Sequence, residues 1–480
     1  MAFKDTKLMY AIQRLTGRER SRFRKYLESP YFNTDERLLV IYDYLDKAPD
    51  KSSGESLTEE AIWVSARGEE PFNNARFRKY LSDLLKLLEG FLYQEYAKTD
   101  KAHEHAHLLE ALHTRKMDRL YASVVKASRN SILKYPKRDS RHYQRKYSVE
   151  RRFYEISDSE MHRGVISNSR EIADALDYFY IIEKLRIYCS VLGRLFYLDD
   201  SYELRLMPEV IQEARVLAEQ DLPAVRIYLR IIDSHLEPDN YDNYVALKAD
   251  IIIHGDLFEP DELVDIYYGA VGFLVRRSNA GDRDSLTEIV DLYDRLLSQG
   301  VVNAQNELSP WTFKNAILAS LRTGQTEWAL ECLEKYSHRL PQDYRENALA
   351  FNYAQVYFYR KDFGKVLEYL QKVEYEDPAY ALNSRNLLVA VYYEMGQIES
   401  LYSATNSFRT YLKRQKQLSS KLKSAYRNLL TSTLNLAKAT SSDTKRLAKI
   451  QTFLEDNPST GSRQWLLDKL EELKAGQRKW

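Results

Sequence analysis

Between Asn347 and Pro378 the chain carries two apolar stripes separated by a polar break. Tyr353, Ala354 and Tyr357 recur at the spacing of one helix, Arg360-Lys361-Asp362 interrupts, and Phe363, Val366, Leu367, Leu370 and Val373 recur at the spacing of a second. Pro378 is expected to stop that second helix. Two helices this short cannot each bury an apolar stripe alone. They bury it against each other and against the next pair, so the stretch constrains the chain around it to stacked helix pairs.

Composition allows this over the whole length. Gly 16 and Pro 12 in 480 residues leave little material for long loops and tight β-turns. Leu, Ala, Glu, Lys and Arg are abundant and favour helix. No alternating apolar pattern of useful length appears, so strands are not expected. Tyr, at 37, is frequent enough to serve as a large packing residue whose hydroxyl still reaches water or a carbonyl. Cys189 and Cys332 lie in apolar helical patterns and read as small buried hydrophobes in a reducing compartment. Lys4 and Lys7 precede no apolar run, so no secretory signal is expected. Tyr178 to Leu198, the most apolar stretch, is broken by Glu183, Lys184, Arg186 and Arg194, which argues against a membrane span. A cytoplasmic protein without membrane contact is the expectation.

Helix signals recur along the chain. Thr16 and Glu19 form a capping box ahead of Phe23, Tyr26 and Leu27. Residues 47–56 read as a polar linker, and a long helix is expected from about Asn74 to Tyr96. The hexapeptide Arg-Phe-Arg-Lys-Tyr-Leu occurs at 22–27 and again at 76–81, each copy placing its Phe, Tyr and Leu on one stripe. That stripe is either an ordinary buried face or the back of a basic surface built from Arg22, Lys25, Arg76 and Lys79. Between 99 and 300 the helical spacing is irregular. From Pro310 it tightens: Phe313, Ala316, Ile317, Gly324, Ala329, Leu333 and Pro341 make one pair, and Leu387, Leu388, Tyr392, Gly396, Ile398, Leu401 and Phe408 another.

These pairs resemble tetratricopeptide repeats, with Ala354 as the small residue of a first helix and Asp362-Phe363 opening a second; Lys361 stands where the family often has Gly. The resemblance implies an all-α, right-handed α-solenoid of antiparallel helix pairs, here with a small N-terminal helical domain. The expected divisions are an N-terminal helical domain at 1–97, an irregular helical-repeat region at 98–309, tetratricopeptide-like repeats at 310–416 and C-terminal capping helices at 417–480. Ser29-Pro30-Tyr31-Phe32-Asn33, Phe313-Lys314-Asn315, Glu327-Trp328-Ala329, Tyr392-Tyr393-Glu394 and Leu412-Lys413-Arg414-Gln415-Lys416 also look like a family of long, uncharacterised helical bacterial proteins, a resemblance that spans nearly the whole chain and implies no activity.

No Gly-rich phosphate loop, no Gly-x-Ser-x-Gly elbow, no His-Glu-x-x-His and no paired-Cys motif is present. An enzyme is therefore not expected, and neither is a cofactor. His103, His107 and Glu110 share one side of a helix at ligand spacing, but a fourth ligand and outer support are not in view, so a polar helix face is the reading and no metal is expected.

Charge says more. The net charge of +1 conceals segregation. From Leu401 to Ser442 there is no Asp or Glu, only Arg409, Lys413, Arg414, Lys416, Lys421, Lys423, Arg427 and Lys438. Residues 134–152 form a second basic run with interleaved Tyr, while the stretch between Asp233 and Asp294 is acidic. The basic helices face the acidic middle, or an acidic protein, or nucleic-acid phosphates.

In the tetratricopeptide family the first helix of each pair lines a concave groove, and Asn amides there hold a peptide backbone. Asn315 and Asn352 occupy that position here, and Asn386 falls in line if the third pair carries its extra residue in the turn. Some members clamp a terminal carboxylate with Lys, Asn and Arg, a set that Lys314, Asn315, Asn352 and Arg385 reproduce in part. The expected function is a non-enzymatic scaffold or adaptor that binds an unidentified protein, as peptide or helix, through Lys314, Asn315, Asn352, Tyr353, Tyr357 and Arg385, with Lys413, Arg414 and Lys416 at its flank. The alternative is a regulatory protein whose basic N-terminal or C-terminal helices contact nucleic acid.

Overall fold

The computed structural model describes residues 6–47, 58–159, 168–194, 204–279, 281–282, 284–300, 307–373, 378–416 and 418–477. Among these residues the chain is helical throughout, with no strand. Beyond Lys47, the polar linker expected at 47–56 lies outside the described residues, as do residues 195–198 of the most apolar stretch. No helix of the described residues is long and apolar enough to cross a membrane.

The chain divides into two compact units, residues 1–134 with 148–169, and residues 135–147 with 170–480. The first holds α1 (Lys7–Arg14), α2 (Gly17–Glu28), α3 (Glu36–Lys47), α4 (Glu59–Arg67), α5 (Asn74–Ala97), α6 (Lys101–Thr114) and α7 (Asp118–Lys134). The next helix, α8 (Ser140–Ser159), contributes to both.

Buried residues from Leu8 to Phe91 build one core inside the first unit. The Thr16 hydroxyl accepts from the Glu19 amide at 3.3 Å while the Glu19 carboxylate accepts from the Thr16 amide at 2.8 Å, so the expected capping box starts α2. Phe23 then reaches the centre, edge-on to Tyr42 at 4.9 Å. The turn after α2 is closed by the buried Asn33, whose amide donates to the Leu27 carbonyl at 2.9 Å. Both copies of the hexapeptide turn inward: Phe23, Leu27, Phe77 and Tyr80 are all buried, so the repeated stripe is core packing. A smaller cluster, Leu109, Leu112, Tyr121 and Val125, ties α6 to α7.

The second unit continues through α9 (Ser169–Arg194), α10 (Met207–Leu217), α11 (Pro223–Leu236), α12 (Tyr241–His254), α13 (Pro260–Asn279), α14 (Asp284–Ser298), α15 (Pro310–Arg322), α16 (Thr326–Tyr336), α17 (Gln342–Tyr359), α18 (Phe363–Gln371), α19 (Pro378–Glu394), α20 (Ile398–Arg414), α21 (Ser420–Lys438), α22 (Thr444–Asp456) and α23 (Arg463–Lys474). Four of these helices begin on Pro, where a missing amide hydrogen is no loss and the fixed φ suits the first turn. Pro378, read from sequence as a stop, is one of them. α18 ends earlier, at Gln371, and the proline starts α19.

Packing in this unit runs mainly between neighbours in sequence: α11 on α12, α13 on α14, α14 on α15, α17 on α18 and α19 on α20. Steps across one helix also occur, α15 on α17 and α17 on α19. One core extends from Tyr143 to Val391, and a second from Leu382 to Leu473, so α19 faces both.

Three helix ends between α15 and α20 share one turn, which Gly281 and Gly476 also make elsewhere in this unit. Gly324, Lys361 and Gly396 take φ of 78°, 60° and 67°. In each, that residue's amide bonds the carbonyl three back and the next amide bonds the carbonyl five back, as in Lys361 to Phe358 and Asp362 to Tyr357. This is the left-handed helix stop that favours glycine, with Lys361 as the exception.

Candidate interaction surface

The shared turn fixes the register between pairs, and the register relocates the expected binding row. Nine positions before the turn residue stand Asn315, Asn352 and Leu387, so Asn386 is one residue out of line. The same register gives different surroundings. Asn315 is exposed. Asn352 is fully buried, its amide donating to the Ala348 carbonyl at 2.8 Å, and it presents no atom to a partner. Asn386 donates to the Ser462 hydroxyl at 3.0 Å. Lys314 is buried too, with its ammonium 4.8 Å from the centre of the Trp311 ring. Tyr353 and Tyr357 are half-buried and pack on Tyr369 of α18, each with ring centres 5.4 Å apart. Lys314, Asn315, Asn352, Tyr353 and Tyr357 therefore do not form one open row.

Arg385 stands apart from them. On α19 it leans toward α20, its guanidinium donating to the Ser407 hydroxyl at 3.2 Å and lying 4.7 Å from the centre of the Tyr411 ring. Ser407, Tyr411 and Arg414 follow one another at helical spacing on a single face of α20. Arg385 is thereby brought to the face that carries Arg414, and Lys413 and Lys416 are exposed beside it.

This end of the chain is basic in structure as well as in sequence. Among the described residues many ion pairs are local, and some arginines elsewhere are well supplied. Arg129 holds Glu150 through two hydrogen bonds at 2.8 and 2.5 Å, and Arg226 and Arg230 share Asp250. Between residues 409 and 427 the cations fall in one acid-free run. Arg409, Lys413 and Arg414 on α20, Lys416 in the connecting loop, and Lys421, Lys423 and Arg427 on α21 meet no carboxylate among the described residues. Lys438, Lys445 and Lys449 extend the set along α21 and α22. α21 also opens without an acidic residue in its first turn, so its positive helix end adds to the field. A surface of this kind attracts anions over about a Debye length, on the order of 10 Å at ordinary salt.

The other basic run is partly consumed within the chain. Tyr135 hydrogen-bonds Glu259, the Lys137 ammonium donates to the Asp256 carbonyl at 2.9 Å, and Arg152 pairs with Glu110. Those contacts reach into the acidic middle of the sequence through Asp256 and Glu259. The N-terminal basic helix is partly consumed as well, since Arg22 pairs with Glu95 at 2.5 Å and Arg24 with Asp43 at 2.9 Å.

His103 is tied to Asp100 through Nδ1 at 3.2 Å, and Glu110 is held by Arg152. Among the described residues no group of three His, Cys, Asp or Glu is placed to hold a metal ion. Burial pushes both thiols up, Cys332 to about 12, so neither side chain is a thiolate near neutral pH.

A polar knot that sequence reading missed lies where residues 135–147 meet α9, α11 and α13. Asp139, Ser140 and Glu262 are almost wholly buried. The Ser140 hydroxyl donates to Glu183 at 2.5 Å, and the Tyr228 hydroxyl to Glu262 at 2.7 Å. Arg186 lies 3.9 Å from the Glu262 carboxylate. No sequence signal marks these residues, because they come together from four separate segments.

No protein-family model, curated protein or solved structure matches this chain.

Proposed function

We propose that this chain is a non-enzymatic interaction scaffold that holds an acidic protein partner against the basic surface of α20, α21 and α22. Its second unit is read as a right-handed solenoid of antiparallel, tetratricopeptide-like helix pairs. The shared turns at Gly324, Lys361 and Gly396, and the neighbour-on-neighbour packing of α15 to α20, support that reading. One observation carries the function: seven cations between residues 409 and 427 meet no carboxylate among the described residues, and they fall in a run, Leu401 to Ser442, that contains no Asp or Glu. Unneutralised cations on a folded surface steer and select an anionic partner more than they stabilise the fold. Arg385, Lys413, Arg414 and Lys416 remain as contact residues, and Asn352 leaves the set because it is buried.

The test is affinity capture at two salt concentrations with the native chain and with Lys413→Glu, Arg414→Glu and Lys416→Glu combined. Loss of acidic partners on charge reversal is the expected result. Recovery of the same partners by both chains would refute the reading.

Nucleic acid is the second reading, since the same cations suit phosphates. Tyr402 and Tyr411 of α20 each already carry a cation, Lys438 and Arg385 respectively, which leaves less ring face for bases to stack on. Binding of a labelled single-stranded oligonucleotide at low salt tests it, and absence of binding removes it.

A further inference from the structure

The register set by Lys361 and Gly396 lets the α17–α18 pair be laid on the α19–α20 pair position by position, thirty-five residues apart. In the first pair the space between the two helices is filled. Tyr369 of α18 packs on Tyr353 and Tyr357 of α17, Lys365 caps the Tyr357 ring at 4.8 Å, and Lys372 caps Tyr369 at 4.8 Å while pairing with Glu368 at 2.8 Å.

In the second pair nearly every filling group is cut back. Tyr369 becomes Ala404, Lys365 becomes Ser400, Glu368 becomes Ser403 and Lys372 becomes Ser407, while Tyr353 becomes Leu388. Tyr357 keeps its type as Tyr392. One change goes the other way, Ala350 to Arg385. The result is a cleft of about 300 Å³ lined by these residues, with Ser403 and Ser407 exposed at its rim. Its apolar part comes from the half-buried Leu388, Tyr392 and Ala404. Its rim carries three hydroxyls and a guanidinium, with no acidic side chain in its lining. The face of α20 that lines it continues through Tyr411 to Arg414.

We propose that the α19–α20 cleft receives one large apolar side chain from an acidic segment of a partner protein, while Arg385 and the Ser400, Ser403 and Ser407 hydroxyls hydrogen-bond the carboxylates that flank it. The proposal rests on the scaffold reading above and names its docking point. The void stands where the neighbouring pair keeps a tyrosine ring, so an aromatic or leucine side chain has the right size. The charge around it selects the neighbours of that side chain: a guanidinium donates in a planar fork to a carboxylate, and the exposed Arg414, Lys413 and Lys416 extend the same sign along the helix. A buried apolar anchor ringed by polar contacts is the usual arrangement of a binding hot spot.

The experiment uses the full chain and three labelled twelve-residue peptides of Asp and Glu, one with a central Phe, one with Ala in its place, and one with every acid replaced by its amide around the Phe. Fluorescence anisotropy reads the affinities. The native chain is expected to prefer the Phe peptide over the Ala peptide by tenfold or more, and to lose affinity for the amide peptide. Ala404→Tyr restores the filling found in the neighbouring pair and is expected to erase the preference for Phe while keeping salt-dependent binding of both acidic peptides. If that variant does not fold, Ser403→Trp closes the cleft from its exposed rim and gives the same readout. Equal affinity of the native chain for the Phe and Ala peptides overturns the proposal, as does a preference that survives cleft filling. Charge reversal at Lys413, Arg414 and Lys416 separates the two ideas. If acidic peptides bind that variant unchanged, the scaffold reading fails; if binding falls there but is indifferent to the cleft, only the cleft proposal fails. Tighter binding of a single-stranded oligonucleotide than of the Phe peptide at equal salt overturns the partner class.

Discussion

Replacing Glu262 by Gln tests the buried knot of the second unit through its pH dependence. Glu262 lies in the first turn of α13 and is 1% exposed. Burial raises its carboxyl from 4.5 to about 7, and the nearby Asp139 and Glu183 push the same way, while the Tyr228 hydroxyl and Arg186 oppose them. A carboxyl raised in the folded state gives its full stabilising contribution below the unfolded pKa and loses it as pH climbs through the folded one. Stability is therefore withdrawn between pH about 4.5 and about 7. At about 1.4 kcal/mol per pKa unit, the loss is on the order of 3 kcal/mol above that window. Asp139, raised by burial, acts in the same direction. His142 opposes both, because burial, followed by Arg138, Lys146 and Arg145, lowers it from 6.5 to about 4. A base kept neutral by the fold loses stability as pH falls below its unfolded value, so from pH 6.5 to 4.5 the histidine and the carboxyls offset each other. The Gln variant keeps an acceptor for the Tyr228 hydroxyl but cannot ionise. Its stability relative to the native chain should rise by about 3 kcal/mol from pH 4.5 to 8, whatever fixed offset the new amide brings beside Arg186. Hydrogen exchange of peptides covering α11 and α13, read across that range, gives the local opening free energy and avoids assuming that both units unfold together. A difference between the two chains that does not change with pH would refute the assignment.

Lys361→Gly should stabilise the second unit by about 0.5–1 kcal/mol, because a left-handed residue without Cβ avoids a steric penalty that outweighs its extra chain entropy; urea midpoints measure it. The converse change, Gly396→Lys, should lower stability by about 1 kcal/mol. Thr16→Ala removes the capping box of α2 and should lower the stability of the core built from Leu8 to Phe91 by about 1 kcal/mol, read as protection of α2 amides. Phe351→Ala, at a fully buried ring whose centre is 5.4 Å from that of Tyr380, should cost about 3–5 kcal/mol and shift thermal unfolding accordingly.

Helix type was legible wherever the apolar period was long, and the capping box at Thr16 was legible because both partners sit three residues apart in one segment. Prolines misled at Pro378 because the same residue can follow one helix or begin the next, and only the position of the preceding stop decides. Here Lys372 ends α18 early, leaving Pro378 free to open α19. The Glu262 knot had no signature. Its members are contributed by four elements, and what makes them unusual is their burial, which no local pattern encodes. The basic surface was legible for the opposite reason. An acid-free run leaves no local partner for its cations, so the lack of carboxylate partners among the described residues from Arg409 to Arg427 follows from the sequence unless another element supplies them.

The Asn row failed on a subtler point. Repeat register assigns a residue to a position on a helix, and it does not assign that position to solvent. Asn315 and Asn352 are equivalent by their distance to the turn, yet one is exposed and the other is sealed and bonded to its own helix at Ala348. What differs is the packing above each position. The informative comparison is therefore between pairs at fixed register, asking which volume is lost and which charge appears. Tyr369 to Ala404 and Ala350 to Arg385 are ordinary substitutions when read alone. At one register they remove a ring and introduce a guanidinium on the two walls of the same cleft, which is why the two substitutions together, and neither alone, motivate the proposal that a partner side chain fills it.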